Sequence, residues 1–254
     1  MNKKALIFLI FIVTIAFAFR PKQDSPIHLI FIGDSITEAR GIKGPQNPPA
    51  SAASYLTARG FKNVEFRNQG RSGFTTVDFL PATKKAYSKV IEAANSFSDK
   101  ENAILVFSIM LGTNDSAVKG PNGAPVAKEN YHKNLKILTD SLIARFPKCK
   151  IIFNNPVWYS DSTRNTSTYF VEGRERLQSY MPEIAALVKQ YKKTKPATLF
   201  LGDKKAYGYF KKNYLTDMKT ETGPSGVYYL HPNPKGSEAL GKLWGAAIEK
   251  MLNR

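Results

Sequence analysis

The sequence is poor in the residues that build disulfides and metal centres. Its 254 residues include one cysteine, Cys149, and three histidines, His28, His132 and His231. A single cysteine cannot form an internal disulfide or a multi-thiolate zinc site. Three histidines also restrict any metal site, and any imidazole that acts as a base, to a very short set of candidates. The composition therefore leaves few side chains that could hold a metal ion.

Sequence signals for nucleic-acid binding are also missing, although the net charge is +17. The lysines are spread along the chain, and no arginine-rich arm, zinc finger or recognition-helix pattern accompanies them. The chain is 43% hydrophobic and 22% charged, which is typical of a soluble globular protein and excludes a disordered or collagen-like chain. The charge thus indicates a solvated basic surface, and we predict no nucleic-acid partner.

Long apolar runs are missing except at the N-terminus. Residues 5–19 contain only Thr14 as a polar residue, follow a short basic stretch and carry a small-x-small pattern near their end. The run is shorter than the roughly 18–20 residues that a membrane-spanning helix needs. We interpret residues 1–18 as a signal peptide and residues 19–254 as a single domain. The prediction is export to a bacterial periplasm or to the extracellular space, without stable membrane association after cleavage; an uncleaved anchor is the alternative.

Strand-like and helix-like segments alternate from residue 27 to the end of the chain. The predicted strands are short apolar runs at 27–32, 64–67, 103–111, 151–153 and 197–201. The predicted helices cover 50–59, 76–97, 130–146, 170–193 and 235–253. A break near Pro81 is an alternative for the second helix, and Pro182 is expected to bend or break the fourth. Strands joined by crossover helices form a parallel sheet covered on both faces. The fold class is therefore α/β, a three-layer α/β/α sandwich with a mainly parallel sheet of about five strands.

Polar residues follow three of these strands and precede the last helix. Ser35 lies in the segment GDSIT after the first strand, and Gly70 lies in NQGRSG after the second. Asn114 lies in LGTND after the third strand, and His231 lies in LHPNPKG before the last helix. Ligands of parallel sheets bind beyond the carboxyl ends of the strands. Each segment alone is a weak signal, because serines and asparagines often only cap helices.

Taken together and in this order, the four segments resemble the SGNH (GDSL-type) hydrolase family. The resemblance spans residues 33–236 and implies a flavodoxin-like sandwich that hydrolyses esters without a metal or organic cofactor. It implies that Ser35 is the nucleophile and that His231 is the base. It also implies that the Ser35 amide, the Gly70 amide and the Asn114 side chain form the oxyanion hole.

One position departs from the family pattern. The family usually has an aspartate three residues before the histidine, where this chain has Tyr228. Three interpretations stay open: a displaced carboxylate, Asp217 or Glu221, orients His231; a backbone carbonyl orients it and leaves a Ser-His dyad; or the enzyme is weakened or inactive. The intact serine, glycine, asparagine and histidine favour an active enzyme.

The whole pattern is most similar to secreted bacterial carbohydrate O-acetylesterases, including sialate O-acetylesterases. The expected substrate is a small-molecule or polysaccharide O-acetyl ester. Trp158 and Tyr159 are candidates for stacking on a sugar, and Arg40 and Arg71 for contact with an acidic sugar. A lysophospholipase or general short-chain esterase is the alternative. A non-catalytic carbohydrate- or polyanion-binding protein is the alternative of another class.

Overall fold

A five-stranded parallel sheet forms the centre of the molecule. The computed structural model describes residues 25–98 and 101–254, so the expected signal peptide at 1–18 lies outside the described residues. The strands are β1 (Ile27–Gly33), β2 (Val64–Gly70), β3 (Ile104–Met110), β4 (Lys150–Phe153) and β5 (Leu199–Leu201). Their order in the sheet is β2-β1-β3-β4-β5, and all four pairs are parallel. The predicted fold class is confirmed.

Helices cover both faces of the sheet. The helices are α1 (Ser35–Glu38), α2 (Pro48–Ala58), α3 (Tyr87–Asn95), α4 (Lys128–Arg145), α5 (Phe170–Thr194), α6 (Ala206–Asp217) and α7 (Pro234–Leu252). Helices α3, α4 and α5 share one apolar cluster with the sheet, and α2, α6 and α7 share the other. Alternate residues of β1 enter opposite clusters: Ile30 and Ile32 pack in the first, Leu29 and Phe31 in the second. A strand buried on both faces has the continuous apolar sequence seen here.

Two predicted helices differ from the structure. The predicted helix at 76–97 is two short 3₁₀ turns, Thr76–Phe79 and Pro81–Thr83, followed by α3. Thr75 and Asp78 form a capping box that begins the first turn, and Pro81 begins the second. By contrast, α5 continues through Pro182, where we expected a bend or break.

Residues 203–228 contain α6 and a small hairpin. The hairpin consists of β6 (Glu221–Gly223) and β7 (Gly226–Tyr228), paired antiparallel. It is anchored to the loop after β4, because the Ser162 hydroxyl donates to the Val227 carbonyl at 2.8 Å and the Ser160 amide donates to the Tyr229 carbonyl at 2.9 Å. No helix in the described part of the chain is long and apolar enough to span a membrane.

Candidate active site

The carboxyl ends of the neighbouring strands β1 and β3 bring Ser35 and Asn114 to one edge of the sheet. Strand β1 ends at Gly33, two residues before Ser35. Strand β3 ends at Met110, four residues before Asn114, and Gly33 is paired with Met110. His231 reaches the same edge from the segment between β7 and α7. The crevice expected for parallel sheets is therefore where these side chains meet.

Ser35 and His231 are in hydrogen-bond contact. The Ser35 Oγ lies 2.9 Å from the His231 Nε2, although 196 positions separate the two residues in the chain. Ser35 is the first residue of α1, and the Asp34 side chain caps that helix by accepting from the Ile36 amide at 2.9 Å. The cap fixes the turn from β1 into α1 and thereby the direction of the serine side chain.

Glu221 occupies the position of the orienting acid. Its Oε1 and Oε2 lie 2.9 Å and 3.0 Å from the His231 Nδ1, and its Oε2 also accepts from the His231 backbone amide at 3.1 Å. When the Nδ1 proton is donated to this carboxylate, Nε2 presents its lone pair to the Ser35 hydroxyl. Burial opposes the charge of Glu221, but the hydrogen bonds and the charge of His231 outweigh it and lower the pKa of Glu221 below its usual value. Of the open alternatives, the geometry therefore favours the displaced acid.

Asp217, the other candidate acid, has different partners. Its Oδ1 forms an ion pair of 2.7 Å with the Lys235 ammonium, and its carboxylate accepts from the Tyr209 hydroxyl. Burial opposes the charge, yet the bonds from Lys235 and Tyr209 lower the pKa of Asp217. Asp217 thus links α6 to the start of α7, and the structure does not bring it to His231.

The Gly70 amide has an acceptor within the protein and is therefore not free for the predicted oxyanion hole. Its amide donates to the Asn68 Oδ1 at 2.8 Å, and a Cβ at this position would lie 2.2 Å from the Glu38 backbone nitrogen. Gly70 thus allows β2 to approach α1 closely. Gly73, three residues later, lines the cavity beside Ser35, with a φ of +78° and open space where a Cβ would lie. In the described part of the chain the Gly73 amide has no acceptor, so it is available to a bound oxyanion.

Both the nitrogen and the oxygen of the Asn114 side-chain amide have hydrogen-bond partners. Its Nδ2 donates one hydrogen to the Phe74 carbonyl at 2.9 Å, and its Oδ1 accepts from the Tyr169 hydroxyl at 2.9 Å. An amide nitrogen has two hydrogens, and Asn114 lines the same cavity as Ser35, so the second hydrogen is free for a ligand. Sequence reasoning missed Tyr169, whose only signal is its place in the loop after β4.

Two buried carboxyl groups belong to residues next to the site residues in the chain: Asp34 precedes Ser35, and Asp115 follows Asn114. Asp34 and Asp115 are both 0% exposed. Burial raises the pKa of Asp34 to about 6 and that of Asp115 to about 7, although hydrogen bonds from Ile36 and Thr76 oppose the shift. The Asp115 carboxyl accepts from the Thr76 amide at 2.9 Å and from the Thr76 hydroxyl, and so ties the segment after β3 to the one after β2.

Two cavities meet at Ser35 and His231. The smaller has a volume of about 180 Å³ and includes the apolar side chains of Ile36, Ala39 and Ile42. The larger has a volume of about 540 Å³, and its wall includes three polar residues of the loop after β4, Asn165, Thr166 and Ser167. In the sequence these three residues have the pattern of an N-glycosylation acceptor. The structure places them at the candidate active site.

Four other residues named from the sequence have partners within the protein. Trp158 and Tyr159 are 8% and 0% exposed and pack in the two apolar clusters, which contradicts stacking on a sugar. The Arg71 guanidinium donates to the Gly70 carbonyl and to Gln69. Arg40 lines the smaller cavity, but its Nη2 lies 3.0 Å from the Glu38 carboxylate.

The remaining histidines and the cysteine are remote from this site. His28 stacks on the Phe97 ring, and His132 lies 3.1 Å from the Glu183 carboxylate. Cys149 is buried, and burial raises the pKa of its thiol to about 12, which is expected for an unreactive thiol. Residues 25–98 and 101–254 contain no group of three or more His, Cys, Asp or Glu side chains that fits a metal ion.

Solved structures with the same fold include several esterases. A member of the lipolytic protein G-D-S-L family from Veillonella parvula DSM 2008 has a TM-score of 0.55 at 16% identity, over 90% of this chain and 99% of that one. An acetyl esterase mutant with acetate ion has a TM-score of 0.59 at 17% identity, over 89% and 98%. The aryl esterase of M. smegmatis has a TM-score of 0.57 at 14% identity, over 88% and 99%. At these identities the similarity shows the fold.

The family assignment comes from the sequence itself. No curated protein matches the sequence significantly. The model of the GDSL-like Lipase/Acylhydrolase family matches residues 31–239, a range that contains Ser35, Asn114, Glu221 and His231. The chain therefore belongs to the GDSL-like lipase/acylhydrolase family and is an ester hydrolase of the SGNH type.

Proposed function

We propose that the protein is an exported serine esterase that removes short O-acyl groups, acetyl above all, from carbohydrates. The hydrogen-bonded series Ser35–His231–Glu221 carries this proposal, because it joins a nucleophile, a base and an orienting acid at distances of 2.9 Å. A hydroxyl activated in this way attacks the carbonyl carbon of an ester.

In the proposed reaction, the Ser35 oxygen attacks the acyl carbon while His231 takes its proton. The Ser35 and Gly73 amides and the Asn114 side chain donate to the oxyanion that forms. Glu221 stabilises the imidazolium through Nδ1, and His231 then delivers the proton to the leaving alcohol. Water repeats the attack on the acyl-enzyme and releases the acid.

The two cavities support a short acyl group and a polar alcohol. The smaller cavity, about 180 Å³, is similar in size to engineered protein cavities of about 150 Å³ that hold one benzene molecule. It suits an acetyl or similarly short group. The larger cavity, about 540 Å³, offers the hydroxyl and amide groups of residues 165–167 to the hydroxyls of a sugar. One of the structural neighbours is an acetyl esterase by name.

The proposal is tested with residues 19–254 as wild type and as Ser35→Ala. Acetate release is measured from acetylated xylan, from O-acetylated sialic acid and from p-nitrophenyl acetate. We expect Ser35-dependent release from at least one of the sugars. Release only from the phenyl ester contradicts the carbohydrate assignment and favours a general esterase. Absence of Ser35-dependent release, together with absence of fluorophosphonate labelling at Ser35, contradicts the esterase and favours the binding protein.

A further inference from the structure

The side chains that line the two cavities carry positive charge only. Lys119 lines the larger cavity, Arg40 and Lys219 line the smaller one, and no Asp or Glu side chain lines either. The charge of Arg40 is offset by Glu38 at 3.0 Å. Lys119 and Lys219 have no carboxylate partner among residues 25–98 and 101–254. Two uncompensated ammonium groups therefore flank Ser35 and His231.

The backbones that carry these two lysines are held in place. The Lys219 amide donates to the His231 carbonyl at 2.8 Å, so this lysine begins at a fixed point beside the proposed base. Lys119 forms a β-bridge with Thr168: the Lys119 amide donates to the Thr168 carbonyl at 3.2 Å, and the Thr168 amide donates to the Lys119 carbonyl at 2.7 Å. Each lysine therefore presents its side chain from an ordered segment at the mouth of its cavity.

A cleft lined by charge of one sign focuses its field outward and attracts ligands of the opposite sign. We propose that the ester substrate carries a negative charge on its alcohol part, which Lys119 receives in the larger cavity while Lys219 adds to the attraction. This inference rests on the proposed esterase function and narrows its substrate class. A lysine ammonium acts as a point charge and binds a carboxylate, a sulfate or a phosphate alike. The proposed substrate class is therefore an ester with any of these anionic groups on its alcohol part.

A whole-chain net charge of +17 makes many lysines attractive to anions, so the test must separate the cleft from the rest of the surface. Lys192 offers a matched control, because it lines a separate cavity beside β5. Lys192→Gln removes the same charge as Lys119→Gln or Lys219→Gln. Any difference between these variants therefore reports the position of the charge and not the net charge.

The substrates are O-acetylated oligogalacturonate with free carboxylates and the same oligomer with its carboxylates methyl-esterified. We measure kcat/KM on both at about 0.01 M and about 1 M salt, where the screening length falls from about 30 Å to about 3 Å. We expect wild type to prefer the free acid by about tenfold at low salt and to lose most of that preference at high salt. Lys119→Gln and Lys219→Gln should each lower the preference by about twofold to fivefold, the value of one solvated ion pair. Lys192→Gln should leave it unchanged.

Equal rates on the two oligomers with wild type overturn the inference and leave the proposed carbohydrate esterase intact. Equal effects of all three glutamine variants also overturn it. A second pair, lysophosphatidylglycerol and neutral monoacylglycerol, distinguishes the source of the anion. A Lys119-dependent preference for the phospholipid, with no activity on either oligomer, supports the anionic ester and overturns the carbohydrate assignment. If wild type shows no Ser35-dependent hydrolysis of any of these four substrates, both the anionic-ester inference and the proposed esterase function are overturned.

Discussion

Tyr228 is paired across the β6–β7 hairpin with Glu221. Tyr228 stands three residues before His231, where the family usually has an aspartate, and Glu221 is the carboxylate that contacts the His231 Nδ1 at 2.9 Å. The hairpin thus carries the acid on one strand and the substituted position on the other. Burial and the nearby charge of Glu221 raise the pKa of Tyr228, so that side chain stays neutral beside the acid.

The first prediction concerns the charge of Glu221. We expect Glu221→Gln to lower kcat by about 10²- to 10⁴-fold with little change in KM, because the neutral amide keeps the size of the side chain but no longer stabilises the imidazolium. The measurement is steady-state hydrolysis of p-nitrophenyl acetate. Asp217→Asn is the control: it removes a charge from the other candidate acid and should lower stability, with kcat within about threefold of wild type. A larger loss of kcat in Asp217→Asn would reassign the acid.

The second prediction concerns Tyr169 as a positioning residue. Its hydroxyl donates to the Asn114 Oδ1, and without this bond the amide is held only by the Phe74 carbonyl. We expect Tyr169→Phe to lower kcat by about tenfold, less than the 10²- to 10³-fold loss on removal of an oxyanion donor, with KM unchanged.

Tyr159→Phe is the matched control for this prediction. The two rings are in edge contact, with centroids 5.3 Å apart, and both hydroxyls form hydrogen bonds of 2.9 Å. The Tyr159 bond goes to Ser116 instead of Asn114. Both variants should lose similar stability in urea unfolding, but only Tyr169→Phe should lose kcat. Matching losses of kcat would show that the tyrosine acts through packing alone.

The sequence predicted those features of the fold and site that follow from the order of segments along the chain. The β-strands, the strand-end positions of Ser35 and Asn114, and the location of His231 before the last helix follow from apolar runs and from turn residues. The choice of Glu221 over Asp217 did not follow, because it depends on how α6 and a hairpin of two three-residue strands pack. The local sequence pattern does not indicate that Asp217 forms an ion pair with Lys235.

The glycines show a second limit of sequence reasoning. Gly70 and Gly73 both belong to the segment NQGRSG at the end of β2, and the pattern alone offers no way to tell a packing glycine from one that faces a ligand. The loop after β4 shows the same limit. The two aromatic residues chosen from it, Trp158 and Tyr159, are buried, whereas residues 165–167 of the same loop line the larger cavity.

The third prediction separates the two glycines by stability. A Cβ on Gly70 would meet the Glu38 backbone at 2.2 Å, which no side-chain movement relieves. We expect Gly70→Ala to cost at least about 3 kcal/mol of unfolding free energy. Gly73→Ala meets open space and should cost about 1–2 kcal/mol, since alanine is strained at a φ of +78°. Urea unfolding of the two variants checks the order, and equal losses would contradict the placement of Gly70 against α1.

The fourth prediction concerns the pH dependence of stability through Asp115. Burial raises the pKa of this carboxyl to about 7, well above the 3.8 of an unfolded chain, so the folded state binds its proton more tightly than the unfolded state does. The stability that this proton contributes is fully present below about pH 4 and is lost as pH rises through about 7. Wild type should therefore lose about 2–3 kcal/mol relative to Asp115→Asn between pH 5 and pH 8.

The measurement is urea unfolding of both proteins at pH 5 and pH 8. The asparagine variant is the appropriate reference because its side-chain oxygen still accepts from the Thr76 amide, while its side chain does not titrate. Groups shared by the two proteins titrate alike and cancel in the difference. A difference that stays constant between the two pH values, or that grows in favour of wild type, would show that Asp115 is ionised in the folded state. Thr76, which donates to it through amide and hydroxyl, would then stabilise the charge more than burial opposes it.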